Sequence, residues 1–132
     1  MIVVDASAIV DLLLNTPNGS GVAGAMAAEN DAHVPELVEP EVLAALRRWL
    51  QRDWIAPDTA DRAVQELGEL RLVRHGHSPL RSRIWALRDR CSSYDACYVA
   101  LAEALDAELV TTDERLGHAA AGLIGVTTIG GP

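Results

Sequence analysis

The chain opens on a short β-branched apolar run, Ile2-Val3-Val4, which stops at Asp5 and passes into the helix-compatible stretch Ser7 to Leu14. This pattern predicts strand, turn and helix. Asn15 to Ser20 is loop by composition, Gly21 to Glu29 is an Ala-rich helix, and His33-Val34-Pro35 is a brief strand. Glu39-Pro40-Glu41 opens the next helix, because proline is tolerated at the first helical position and acids favour the positive end of the helix dipole. Its apolar side is Val42, Leu46, Trp49 and Leu50. A further helix starts near Pro57-Asp58 and carries Ala60, Val64, Leu67 and Leu70 at helical spacing. It leads into a strand at Leu72-Val73 and a loop over Arg74 to Ser78. Pro79 to Arg90 is amphipathic, with Leu80, Ile84 and Leu87 on one side. Ser92-Ser93 caps a helix over Tyr94 to Leu105 that is apolar nearly all round and therefore central. Leu109-Val110-Thr111 is a strand, Asp113 starts a short helix, and Val126 to Ile129 is the last strand.

Strands alternating with helices predict a mostly parallel α/β sheet. Ligands of such a sheet bind beyond the carboxyl ends of its strands, so polar residues just after a strand are the ones to weigh. Asp5 and Asp113 hold that position, while Glu41 and Asp95 lie in the first turns of two helices. Four acids from distant parts of the chain can thus meet at one edge. Crowded carboxylates repel one another unless a cation shares the site. An all-oxygen donor set without His/Cys spacing suits Mg²⁺ or Mn²⁺ rather than zinc.

Each acid alone has an ordinary explanation, since Asp and Glu are favoured at helix starts for capping and dipole reasons. Asp5 is the least ambiguous, because Ser7 is available to cap the helix that follows. Asp113 is itself a candidate N-cap. Glu41 competes with Glu36 and Glu39, of which Glu39 is expected to precede the helix.

Composition narrows the picture. A chain of 132 residues is expected to be one domain, since roughly 100 to 200 residues is the usual size of one folding unit, and its 49% apolar content supports a core without disulfides. Cys91 and Cys97 form no framework and no paired zinc motif. The start MIVVD lacks the basic region of a signal peptide, and no run of 18 apolar residues occurs, so the expected compartment is a reducing cytoplasm away from membranes. The net charge of −8 argues against nucleic acid at first sight. It loses that force if part of the negative charge belongs to carboxylates gathered around divalent ions. All 11 basic residues are arginine. The absence of lysine excludes a P-loop, and no G-x-G-x-x-G follows the first strand. It also disfavours a receiver domain, which needs a lysine near its phosphoryl site. A haloacid-dehalogenase-type phosphatase wants a second aspartate two positions after the first, where this chain has Ser7.

The segments IVVDASAIV, PEVLAALRR, SSYDACYVALAEAL and LVTTDERLG, in this order and at this spacing over nearly the whole chain, resemble the motifs of PIN-domain ribonucleases. More narrowly, they resemble the VapC toxins of VapBC toxin–antitoxin modules. The resemblance implies a three-layer α/β/α sandwich around a mostly parallel sheet of four to five strands, spanning residues 1–132 as a single PIN domain. It implies an acidic cluster of Asp5, Glu41, Asp95 and Asp113 holding one or two Mg²⁺ or Mn²⁺ ions for RNA hydrolysis. Ser7 and Thr112 are implied as supporting hydroxyls. It further implies a homodimer and a cognate VapB-type antitoxin. The alternatives are a housekeeping RNA-processing nuclease and a PIN module that binds RNA or protein without cleaving.

The other chemistry-bearing residues read as ordinary structure. Arg81, Arg83, Arg88 and Arg90 form a charged helix face, which is more often solvated than bound to phosphate, and Arg47, Arg48 and Arg52 read alike. His75 and His77 lack a third ligand. Trp49, Trp54 and Trp85 are expected in the core or at a dimer contact, and Cys97 in packing.

Overall fold

Strands and helices alternate as expected in the computed structural model, which describes residues 1–130. Along the chain these are β1 (Ile2–Val4), α1 (Ala6–Leu13), α2 (Gly19–Ala27), β2 (Ala32–Pro35), α3 (Val38–Gln51), α4 (Pro57–Glu69) and β3 (Leu72–His75). A 3-10 turn, Ser78–Leu80, then leads into α5 (Arg81–Ala86), α6 (Ser93–Leu105), β4 (Glu108–Thr111), α7 (Glu114–Ala120) and β5 (Val126–Thr128). The five strands form one sheet in the order β3-β2-β1-β4-β5, and every neighbouring pair is parallel. The mostly parallel sheet expected from the sequence is here parallel throughout.

The pleat divides the core into two layers, because successive side chains of a strand point to opposite faces. Ile2, Val4, Val34 and Val110 pack beneath buried residues of α1 to α4. Val3 and Leu109 face the other way, onto Tyr98, Val99 and Ala102 of α6 and Leu116 of α7. Helix α6 is buried along seven consecutive positions, Ala96 to Ala102, which is why its sequence shows no polar side. The result is the α/β/α sandwich expected from the sequence.

Several local expectations shift. Helix α2 begins at Gly19 rather than Gly21, and it crosses α1 so closely that a Cβ at position 19 would strike the Asp11 carbonyl oxygen. Glu39 lies inside α3, not before it. In α4 the buried residues are Ala60, Ala63 and Leu67, while Val64 is exposed. The amphipathic stretch Pro79 to Arg90 is not one helix. It is the 3-10 turn plus the short α5, and beyond buried Leu87 the chain turns so that Arg90 donates to the carbonyls of Ala119 and Ala121 at 3.0 Å each. Arg74 and His75 extend β3 into the expected loop.

What positions a site is the strand order. The chain lays down β1, β2 and β3 outward on one side, then crosses over to place β4 and β5 on the other. Strands β1 and β4 are therefore neighbours whose following segments diverge, and the crevice beyond their carboxyl ends is the switch point of the sheet.

Candidate active site

Asp5 and Asp113 flank that crevice. The backbone N–H of Asp5 still bonds to Val110 of β4 at 3.2 Å, so its side chain emerges where the ladder ends. It is 4% exposed, and three donors hold its carboxylate. The Ala8 N–H donates at 3.0 Å, the Ser7 hydroxyl lies 2.8 Å from both oxygens, and the Thr111 hydroxyl donates at 2.8 Å. Asp5 is thus the N-cap of α1. Ser7 sits inside the first turn as a donor to Asp5, rather than capping the helix itself. Burial nevertheless dominates, and it pushes the Asp5 carboxyl up from an ordinary 3.8 to about 6, against the lowering by its hydrogen bonds.

The hydroxyl that reaches Asp5 from β4 belongs to Thr111, one residue before Thr112. Thr111 is fully buried, and its oxygen also accepts from the Asp113 N–H at 2.9 Å. Thr112 contributes its backbone N–H, which donates to the Ser7 hydroxyl at 3.3 Å. Thr111 is the last residue of β4 and its hydroxyl reaches Asp5, whereas Thr112, expected as a supporting hydroxyl, lies just past the strand and meets Ser7 through its backbone. Asp113 caps α7 by accepting from the Arg115 N–H at 2.9 Å.

Asp95 arrives from the first turn of α6, behind Ser92, whose hydroxyl caps that helix by accepting from the Asp95 N–H at 3.1 Å. Glu41 arrives from the first turn of α3. Its carboxylate accepts a 2.6 Å hydrogen bond from the Tyr98 hydroxyl, and partial burial raises its pKa despite that bond. Glu39 turns away to an ion pair with Arg74, donated at 2.7 Å by Nε, and Glu36 is exposed. Of the three competing glutamates, Glu41 alone lines the crevice. If the cluster carries out the RNA hydrolysis that the resemblance implies, replacing Glu41 by glutamine is expected to lower cleavage at least about tenfold, because one carboxylate is lost. Glu39→Gln should stay near wild type, and equal rates for the two variants would reassign the residue.

All four predicted acids therefore line one cleft of about 390 Å³. Two guanidinium groups, Arg48 and Arg115, share it with five carboxyl groups, the fifth being Asp11. Arg115 bridges Asp95 at 2.7 Å and Asp113 at 3.2 Å. Among the described residues no three His, Cys, Asp or Glu side chains are drawn close enough to cage an ion. The donor set still fits a hard divalent cation, because it is all oxygen, excess negative, and includes one deeply buried carboxyl whose charged form is poorly solvated.

Arg115, Tyr98 and Thr111 were not legible as site residues: each lies two or three residues from a candidate acid, and only packing decides which side chain enters the cleft. Other expectations resolve more simply. His75 of β3 faces His33 of the neighbouring strand β2 with ring nitrogens 2.9 Å apart, and His77 accepts from the Leu37 N–H at 3.2 Å, so these histidines make structural contacts between adjoining segments. Trp54 and Trp85 are 59% and 65% exposed and so lie outside the core; Arg52 and Arg88 cover their rings. Cys97 is buried and Cys91 half-buried, both as free thiols.

A parallel sheet with acids converging at its switch point is the setting of an α/β enzyme site, and residues 2–122 match the PIN domain family. The chain belongs to that family. A VapC ribonuclease of Mycobacterium bovis, Mb0985, is 47% identical over 116 residues, which is 88% of each chain. Ribonuclease VapC3 of Mycobacterium tuberculosis is 41% identical, over 89% of this chain and 86% of the relative. Among solved structures, PAE2754 from Pyrobaculum aerophilum superposes with a TM-score of 0.71 at 22% identity, over 95% of this chain and 81% of that one. VapBC2 from Rickettsia felis, bound to a DNA fragment from its promoter, gives 0.69 at 14% identity over 98% and 99%. These likenesses show the fold.

Proposed function

We propose that this protein is a divalent-metal-dependent endoribonuclease toxin of the VapC type, which hydrolyses RNA phosphodiester bonds and is neutralised by a VapB-type antitoxin. The observation that carries this reading is the convergence of Asp5, Glu41, Asp95 and Asp113 on one cleft, in a chain 47% identical to relatives named as VapC ribonucleases.

In this reading the four acids hold one or two Mg²⁺ or Mn²⁺ ions. When bound, such an ion supplies the charge that activates water for in-line attack on phosphorus and offsets charge on the leaving oxygen. The remaining work falls to the chain itself. Ser7 and Thr111 fix the orientation of the Asp5 carboxylate, so its lone pairs point the same way in each turnover. Tyr98 does the same for Glu41, and its own hydroxyl is held neutral, because burial and the neighbouring carboxylate push its pKa up. Arg48 supplies positive charge at the cleft for the phosphate backbone, which the overall acidity of the chain does not.

An acidic cleft also explains inhibition by a partner. A basic side chain from an antitoxin segment satisfies the same carboxylates through charge-assisted hydrogen bonds and closes the site to RNA. Structures of similar fold include a toxin–antitoxin complex from Klebsiella pneumoniae, TM-score 0.70. The protein is further expected to act in the cytoplasm as a homodimer.

The purified protein should cleave single-stranded RNA in Mg²⁺ or Mn²⁺ and stop when EDTA is added, as read on denaturing gels. Cleavage that persists at full rate in EDTA would remove the metal from this reading. Absence of cleavage in either metal, with the fold intact by circular dichroism, would leave a binding module.

A further inference from the structure

Arg115 holds a place in the cleft that none of the expectations above accounts for. Its guanidinium spans two of the four acids, at 2.7 Å from Asp95 and 3.2 Å from Asp113. Its backbone N–H meanwhile holds the other oxygen of Asp113 at 2.9 Å. The Asp95 side chain is only 14% exposed and that of Asp113 32%, whereas the Arg115 side chain is 67% exposed. Asp113 is held by the cap it forms on α7 and Asp95 by its mostly buried setting, while the guanidinium between them lies mostly in solvent.

A planar guanidinium satisfies two carboxylates through directional bonds, but it brings one positive charge where a divalent ion brings two. Both cannot hold the same carboxylate oxygens. An ion bound by Asp95 and Asp113 repels the guanidinium, and the shortest relief is rotation of a mostly exposed side chain toward the mouth of the cleft. There its fork of N–H groups matches a phosphate.

We propose that Arg115 is a built-in counter-cation: it competes with the divalent ion for Asp95 and Asp113, and once displaced it becomes a contact for the RNA phosphate. This rests on the metal-dependent reading above. Loading with metal and readiness for RNA are then one event, because the residue that leaves the acids is the residue that meets the backbone.

Binding of Mn²⁺ without RNA, measured by isothermal titration calorimetry, tests the first half. Arg115→Ala should bind Mn²⁺ about threefold to tenfold more tightly than wild type, the scale of one or two exposed ion pairs removed. Arg115→Lys, whose ammonium cannot span both acids, should lie between. The second half has the opposite sign. Arg115→Ala should raise the KM for a single-stranded RNA oligonucleotide in saturating Mn²⁺ and flatten the salt dependence of KM by about one phosphate contact, with kcat changing less. Tighter metal with weaker RNA is a pattern that a merely structural arginine does not produce. Equal or weaker Mn²⁺ binding by Arg115→Ala would overturn the proposal while leaving the metal site standing. Failure of both proteins to bind Mn²⁺ at all would overturn the metal reading and this inference with it.

Discussion

Asp5→Asn is expected to lower RNA cleavage on the order of a thousandfold while the protein stays folded. The substitution removes a negative charge and almost no volume. An asparagine oxygen can still accept from the Ala8 N–H, so the cap of α1 survives, and the hydroxyls of Ser7 and Thr111 can rotate to accept from the new amide. What is lost is the one buried carboxylate from which the cleft would grip a divalent ion. Single-turnover cleavage in saturating Mn²⁺ measures the rate, and far-UV circular dichroism the fold. A variant that turns over like wild type would show that Asp5 is only a helix cap.

The same residue should make the metal-free protein less stable as pH rises. The sign follows from the folded carboxyl binding its proton more tightly than the unfolded one, at about 6 against an ordinary 3.8. Below about pH 4 both states are protonated and burial carries no penalty. Between these values the unfolded chain ionises first, so stability falls. Above about pH 6 both are ionised, and the full difference, about 3 kcal/mol, has been lost. Glu41, shifted upward by partial burial, adds in the same direction. Urea denaturation in EDTA should therefore give a lower unfolding free energy at pH 7 than at pH 4.5. Asp5→Asn should remove most of that slope and be the more stable protein at pH 7 without metal. Adding Mn²⁺ at a hundred times its Kd should return about 2.7 kcal/mol to wild type and much less to the variant. A flat profile for wild type would show that the Asp5 charge is well accommodated without a cation.

Much of the molecule was legible in residue patterns because the responsible physics is local. A β-branched run ending in an acid marks β1 and Asp5, since strand propensity and the end of hydrophobic patterning are read within a few residues. The length and all-round apolarity of Tyr94 to Leu105 mark a helix buried among others. Where local signals were less decisive, the boundaries moved. No glycine or proline ends α5, so nothing in Pro79 to Arg90 announces that the helix stops at Ala86; burial of Leu87 and the reach of Arg90 to two distant carbonyls accompany the turn. Val64 and Ala63 are both consistent with a helical stripe, and packing chose the smaller for the interior.

The amino-acid order by itself determined the alternating α/β architecture, the acids at strand ends and helix starts, and the oxygen-only character of the donors, because each depends on neighbours within a turn or a strand. Only the tertiary structure decided that Glu41 rather than Glu39 lines the cleft, that Thr111 rather than Thr112 holds Asp5, and that Tyr98 and Arg115 belong to the site. Those choices depend on which way a side chain points once β1, β4, α3 and α6 are packed together. Contacts such as Thr111 to Asp5 join residues more than a hundred positions apart, and no local propensity encodes them.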